Sequence, residues 1–208
     1  MKRWQAPLVG LAVLLVLGWP GRPWAAETAG SVLAVGGDCV LESGGHRLPL
    51  KFKDAVHVGD TVIVPANGKL KLHMVDGSVL SAGSGTVLTI AAYTADGATQ
   101  QRDARLTLSN GLLRSVVQSM AGPSRFEVTA ATAVAAVRST DWFIEAGPAV
   151  TRVGVLTGIV GLSSRGTGKS VAIPSRYGAR VEAGQDPVPP RPWQDEEFDE
   201  YIHKTDLP

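Results

Sequence analysis

A single cysteine, Cys39, in 208 residues rules out an internal disulfide. The fold therefore has to be held by a packed core, and Cys39 is expected inside that core as a small apolar residue. Neither sign of charge dominates, since 20 basic residues stand against 19 acidic ones. A chain so balanced lacks the basic field that nucleic acid selects, which argues against nucleic acid as a partner. Helical periodicity is almost missing between residues 30 and 185, so a helical bundle is excluded. Beyond residue 26 no apolar run approaches the ~20 residues of a membrane-spanning helix.

The common chemical motifs are missing as well. His46, His57, His73 and His203 show no metal-type spacing. The stretch "SSRGTGKS", residues 163–170, ends in Gly168-Lys169-Ser170, but Ser163 stands where a nucleotide-binding loop needs its first Gly. The "VAIP" that follows reads as strand, not as the helix whose N-terminus would hold phosphate, so a hairpin turn is expected. Ser84 in "SAGSGT" lacks the Gly two places earlier that a nucleophile elbow requires. Asp38, Asp54, Asp60, Asp76 and Asp141 are carboxylates of the kind that work in pairs in glycoside hydrolysis. Asp60 follows Gly59 and Asp76 precedes Gly77, however, and both are ordinary turn chemistry. The expectation is a protein with no catalytic activity, no metal and no cofactor.

The N-terminus carries a clear signal. Lys2 and Arg3, the apolar run from Pro7 to Leu17 and the closing Trp24-Ala25-Ala26 form the pattern of a signal peptide over residues 1–26. The mature chain would begin near Glu27. Without Lys2, Arg3 and Arg22 it keeps 17 basic groups against 19 acidic ones. A periplasmic address follows as an expectation, with no stable membrane span after cleavage.

From residue 27 to residue 185 the pattern is that of an all-β domain. In "KLKLHMV", Leu70, Leu72 and Met74 fall on one side and Lys69, Lys71 and His73 on the other, as a half-buried strand requires. "RLTL" places Leu106 and Leu108 inward, and "RFEVT" does the same with Phe126 and Val128. Asn67-Gly68, Asp76-Gly77 and Asn110-Gly111 accept positive φ and are expected to join adjacent strands. Breaks about every ten residues fit a sandwich, a barrel or an irregular solenoid. The expected fold is a single domain of short antiparallel or solenoid-like strands, with a β-sandwich as the alternative. The polar stretch "YTADGATQQRDA", residues 93–104, is expected to project as a loop. Residues 186–208 change character: Pro187, Pro189, Pro190 and Pro192 stiffen the chain, and "DEEFDEYIHK" suits one short acidic helix. Trp193, Phe198 and Tyr201 either dock that tail on the β domain or form a candidate partner surface.

The segment "TAVAAVRSTDWFIEA", residues 132–146, sets Arg138 and Asp141 among apolar residues. Three places apart in a strand, the two would face opposite sides unless Ser139-Thr140 forms a turn or bulge. A catalytic site, a ligand clamp and an internal fastening are all conceivable for the pair. The cost of burying an unpaired charge favours the fastening, with Arg138 and Asp141 paired to each other.

That segment is similar to the core of the FecR domain, an apolar "TAVAAVRGTDF-x-V" strand followed by "V-x-VLEG-x-V". Here the follower is "TRVGVLTGIVGL", residues 151–162, with Gly158 at the Gly of "VLEG". Upstream, residues 58–90 resemble the family's "GD…DGS" segment, which holds Asp76 and Gly77. "LSNGLLRSVV", residues 108–117, matches its "L-x-x-G-x-LR" element through Gly111 and Arg114. Two residues depart from the pattern: Ser139 stands at a usual Gly, where positive φ is expected, and Thr157 at a usual Glu. The likeness covers about residues 30–185. It implies structural motif roles for Arg138, Thr140, Asp141, Asp76, Gly77, Gly111, Arg114 and Gly158. FecR-type regulators join a cytoplasmic anti-sigma segment, a membrane span and a periplasmic part, whereas here a signal peptide alone is expected ahead of the β domain. The resemblance thus implies a non-enzymatic periplasmic interaction module that binds an envelope protein or an envelope polymer. The alternative is the periplasmic component of a relay to a sigma factor through a separate membrane partner.

Overall fold

The structure, a computed structural model, describes residues 26–207. Apart from Ala26, the expected signal peptide lies outside the described residues. The first eight strands are β1 (Thr28–Gly36), β2 (Val40–Ser43), β3 (His46–Pro49), β4 (Ala55–His57), β5 (Thr61–Ile63), β6 (Lys69–Met74), β7 (Val79–Ala82) and β8 (Val87–Asp96). The long β9 (Gln101–Val116) comes next, then β10 (Ser124–Thr129), β11 (Ala133–Val137), β12 (Asp141–Ala146) and β13 (Val150–Thr157). The chain ends with β14 (Ile159–Ser164), β15 (Ser170–Pro174), β16 (Tyr177–Glu182), the two-residue β17 (Arg191–Pro192) and the helix α1 (Asp195–Thr205).

These strands form two sheets that share β9. One runs β4-β1-β6-β7-β9-β12-β13-β16-β17. The other runs β3-β2-β5-β8-β9-β10-β11-β14-β15. All pairings are antiparallel except β9 with β10. The inward residues of both sheets meet in one continuous core, which includes Leu70, Leu72 and Met74 from the first sheet and Leu106, Phe126 and Val128 from the second. Alternation along each strand produces this directly, because successive side chains leave opposite faces. The all-β class is therefore observed, in a layered form. Cys39 lies in the same core.

Two sequence expectations fail here, for one reason. The stretch 93–104 is not a projecting loop: β8 and β9 pair in register out to Asp96 opposite Gln101, and the tip is only four residues long. Asn110-Gly111 is not a hairpin turn, because it lies inside β9. Residues 102–107 of β9 belong to the second sheet and residues 111–116 to the first. The strand bends at Gly111, which adopts φ +96°. A Cβ there would run into the backbone of Thr86, whose buried hydroxyl donates to Gly83 O (2.6 Å) and Leu112 O (3.0 Å). A Gly with positive φ thus serves a strand crossing between layers, not a reversal.

The tail packs on the outer face of the first sheet. Leu112 and Phe143, which alternate with inward residues of β9 and β12, form a second cluster with Phe198, flanked by Leu156, Trp193, Tyr201 and Ile202. The helix is set up by its own charges. Asp195, Glu196 and Glu197 occupy its first turn and His203 and Lys204 its last, matching the helix dipole. Glu197 reaches back to accept from the Gln194 amide at 3.0 Å. At the far end, the Lys71 ammonium donates to Leu207 O at 2.7 Å.

Candidate functional site

The Asp76-Gly77-Ser78 turn joins β6 to β7 and aims the Asp76 carboxylate into the protein. Its Oδ1 accepts from the Ser78 amide (2.9 Å) and the Tyr93 hydroxyl (2.9 Å), and its Oδ2 from the Ser78 hydroxyl (2.7 Å) and Arg102 Nη1 (2.6 Å). The side chains of Asp76 and Arg102 are both fully buried. Arg102 Nη1 also donates to Gln118 O at 3.1 Å. Its Nη2 donates to the Ser124 hydroxyl (2.7 Å) and to Arg138 O (2.9 Å), and the guanidinium lies over the Phe126 ring. One arginine on β9 thereby ties the β6–β7 turn to the segment before β10 and to the turn between β11 and β12.

The electrostatics fit a fixed ion pair. Burial alone would raise the Asp76 carboxyl, but the hydrogen bonds from Arg102, Ser78 and Tyr93 outweigh it and hold the carboxyl below its ordinary range. Burial pushes the Tyr93 hydroxyl up, and the neighbouring Asp76 charge adds to this. With four donors on its two oxygens, Asp76 has little capacity left to take a proton from a substrate. Arg102 was hidden from sequence reasoning by the polar look of "ATQQRDA". The signal was present nonetheless: Arg102 shares its parity along the strand with Ala104, Leu106 and Leu108, all of which point inward.

Arg138 and Asp141 are not paired with each other. The Arg138 side chain is exposed, and its part in the network is played by its carbonyl. Asp141 is held by Arg114 instead, through Nε to Oδ1 at 2.9 Å and Nη2 to Oδ2 at 2.8 Å. The register decides this, because Arg114 of β9 lies opposite Phe143 of β12, on the face of the first sheet that Asp141 also occupies, and its guanidinium rests on the Phe143 ring. The Asp141 contact raises Arg114 above its usual range. The expected positive φ at Ser139 is also not found: among the described non-Gly residues it occurs at Lys53, Gln100 and Arg176. Gly158, at φ +90°, packs so closely on Thr140 and the Ser139 carbonyl that a Cβ would collide with both. Arg114→Ala or Asp141→Ala should therefore lower stability by ~1–2 kcal/mol for this half-buried two-point pair. Arg138→Ala should stay within ~0.5 kcal/mol, and urea melts of the three variants compare them directly.

Trp193, Phe198 and Tyr201 do not form an open surface. Phe198 is buried, and Trp193 lies across Gly154 and Gly178, which face each other on β13 and β16 and leave no room there for a Cβ. The other side of its ring meets Tyr201 and Phe198 at centroid distances of 5.2 and 5.3 Å. The Tyr201 hydroxyl donates to Glu145 Oε2 at 3.0 Å. These aromatics fasten the tail to its own domain. Among the described residues no group of three His, Cys, Asp or Glu side chains could hold a metal ion, and no helix is long and apolar enough to cross a membrane.

Residues 60–161 match the family model described as FecR protein. The chain carries a FecR domain. Two crystal structures of a candidate anti-sigma factor from Parabacteroides distasonis share the fold, each with a TM-score of 0.55 and 15% identity. Each alignment covers 68% of this chain, and 64% or 63% of the other, so the chain spans under two thirds of that protein. No curated protein matches the chain. The motifs of the FecR domain coincide with the two ion pairs: Asp76 and Gly77 build the first, Arg114 and Asp141 the second. Gly111 and Gly158 sit at two of the places where a neighbouring segment comes too close for a side chain.

Proposed function

We propose that this FecR domain is a non-enzymatic regulatory module, exported to the periplasm, that binds a protein partner of the cell envelope. The family match supports a signalling or regulatory role, and the fold shared with a candidate anti-sigma factor is in line with it. The observation that carries the reading is how the charged motif residues are used. Of the carboxylates the motifs bring inside, Asp76 and Asp141 are each engaged by an arginine and the buried Asp60 accepts from the His57 amide at 2.8 Å, which leaves the motifs a scaffolding role and not an acid–base one. The scaffold also ends in open strands. Among the described residues β3 pairs only with β2, and β15 only with β14, so each offers one free row of backbone donors and acceptors. Such edges accept an extended segment from a partner by strand addition.

A pull-down from envelope extracts with the tagged chain tests this. Recovery of a discrete protein, an anti-sigma protein or a transporter among them, is the expected result. Retention on purified peptidoglycan with no protein recovered would replace it with a polymer-binding role.

A further inference from the structure

The outer face of the first sheet holds an arrangement that neither the ion pairs nor the tail explains. Arg152 on β13 and Arg180 on β16 stand directly opposite each other in the ladder. Like charges in that relation repel, and a sheet built for stability alone avoids them. Glu145 lies opposite Arg152 on its other side and accepts from Nη1 at 3.2 Å, while Glu182 accepts from Arg180 Nε at 3.2 Å. Each glutamate covers one edge of its arginine. Nε and Nη2 of Arg152 and both Nη atoms of Arg180 have no hydrogen-bond partner among the described residues. Both side chains are about half exposed, at 48% and 53%.

A recess of about 230 Å³ opens beside the pair. Apart from its arginines its lining is apolar, formed by Gly178, Ala179, Val188, Pro189 and Trp193. Val188 is held over it by an amide hydrogen bond to Arg180 O at 2.9 Å. Arg191 also lines the recess, but both its Nη atoms are engaged by Glu197 at 3.0 and 2.6 Å, so it contributes wall and not donors. On the far side of the pair a second depression continues past Val150 and Gln185. The two free guanidinium edges therefore meet where a small apolar recess joins an open groove.

Charge narrows the ligand. Three glutamates accompany the three arginines, so the set is formally neutral and does not favour a dianion such as phosphate. A planar carboxylate, with two oxygens to offer two forked donors, fits the free edges. The apolar walls beside it suit a small aliphatic side chain, and they present no ring of polar partners for sugar hydroxyls. We propose that Arg152 and Arg180 bind the C-terminal carboxylate of a peptide whose last residue is small and apolar, with that side chain in the recess by Trp193. The body of the peptide would leave along the groove toward Gln185. The site is independent of the open edges: it stands or falls whether or not β3 or β15 takes a strand.

Titration of the full chain with N-acetyl-alanyl-alanine, followed by calorimetry and by the NMR signals of the arginine side chains, tests this. Binding of the free acid with no binding of its C-terminal amide is expected, weakened about ten- to a hundred-fold in Arg152→Gln and in Arg180→Gln. Both variants lie on the surface and should melt with the wild type. The L,L and D,D forms of the probe separate two sources of the same chemistry, a protein chain end and a wall-peptide end, and binding of either supports the site. Equal binding of the amide, equal binding of inorganic phosphate or glucuronate, or no effect of either substitution would overturn it.

Discussion

Replacing Asp76 by Ala is expected to lower the unfolding free energy by about 3–5 kcal/mol, the cost of leaving a buried guanidinium without its counter-charge. Arg102 would keep its bonds to Gln118 O, Ser124 and Arg138 O, but those are neutral acceptors. Replacing both charges at once, as in Asp76→Ala with Arg102→Met, should recover part of the loss, because no charge is then left buried and unpaired. Additive losses in that double-variant cycle would show that the two side chains act separately. The pair also sets a pH dependence. The folded carboxyl sits below its ordinary range, near 3.9 for a free aspartate, so the folded state binds this proton less readily than the unfolded chain. Its contribution is complete above about pH 4 and is lost as pH falls through the folded value. Urea midpoints of the wild type should drop across that acid range, and those of Asp76→Asn should drop less.

Gly111→Ala is the second large effect, at roughly 2–4 kcal/mol of destabilisation. The substitution forces a side chain into the positive-φ region and drives its Cβ against Thr86. No flexible atom can give way, because the obstacle is backbone and the Thr86 hydroxyl is locked by Gly83 O and Leu112 O. Gly97 at the tip of the β8–β9 hairpin is the natural control, since a Cβ there meets nothing within 4 Å. Thermal melts should separate the two variants clearly, and equal midpoints would mean that β9 does not need its bend.

The strands were legible because burial obeys period two. Leu70-Leu72-Met74, Leu106-Leu108 and Phe126-Val128 could be assigned to the core from spacing alone, and Asp76-Gly77 from turn chemistry. The partners of the charges were not legible, because pairing across strands has no signature in a single sequence. Arg138 looked like the mate of Asp141 through nearness along the chain, while the real mate, Arg114, lies 27 residues away and comes alongside only through the β9–β12 register. Arg102 was lost for a related reason: a hairpin that twists over a core can be polar in composition and still turn every second residue inward. The tail was half legible. Its aromatic residues marked a contact, but the two bare glycines that receive Trp193 lie on different strands and meaning attaches to them only as a pair.

The boundaries of the family match carry a practical consequence through the flanking elements. Residues 60–161 leave out β1, which pairs along β6, and α1, which covers Phe143 and Leu112. Expressed by itself, that stretch would bare an unpaired strand flank and a greasy outer face together, and the soluble yield of such a fragment would depend on restoring both ends.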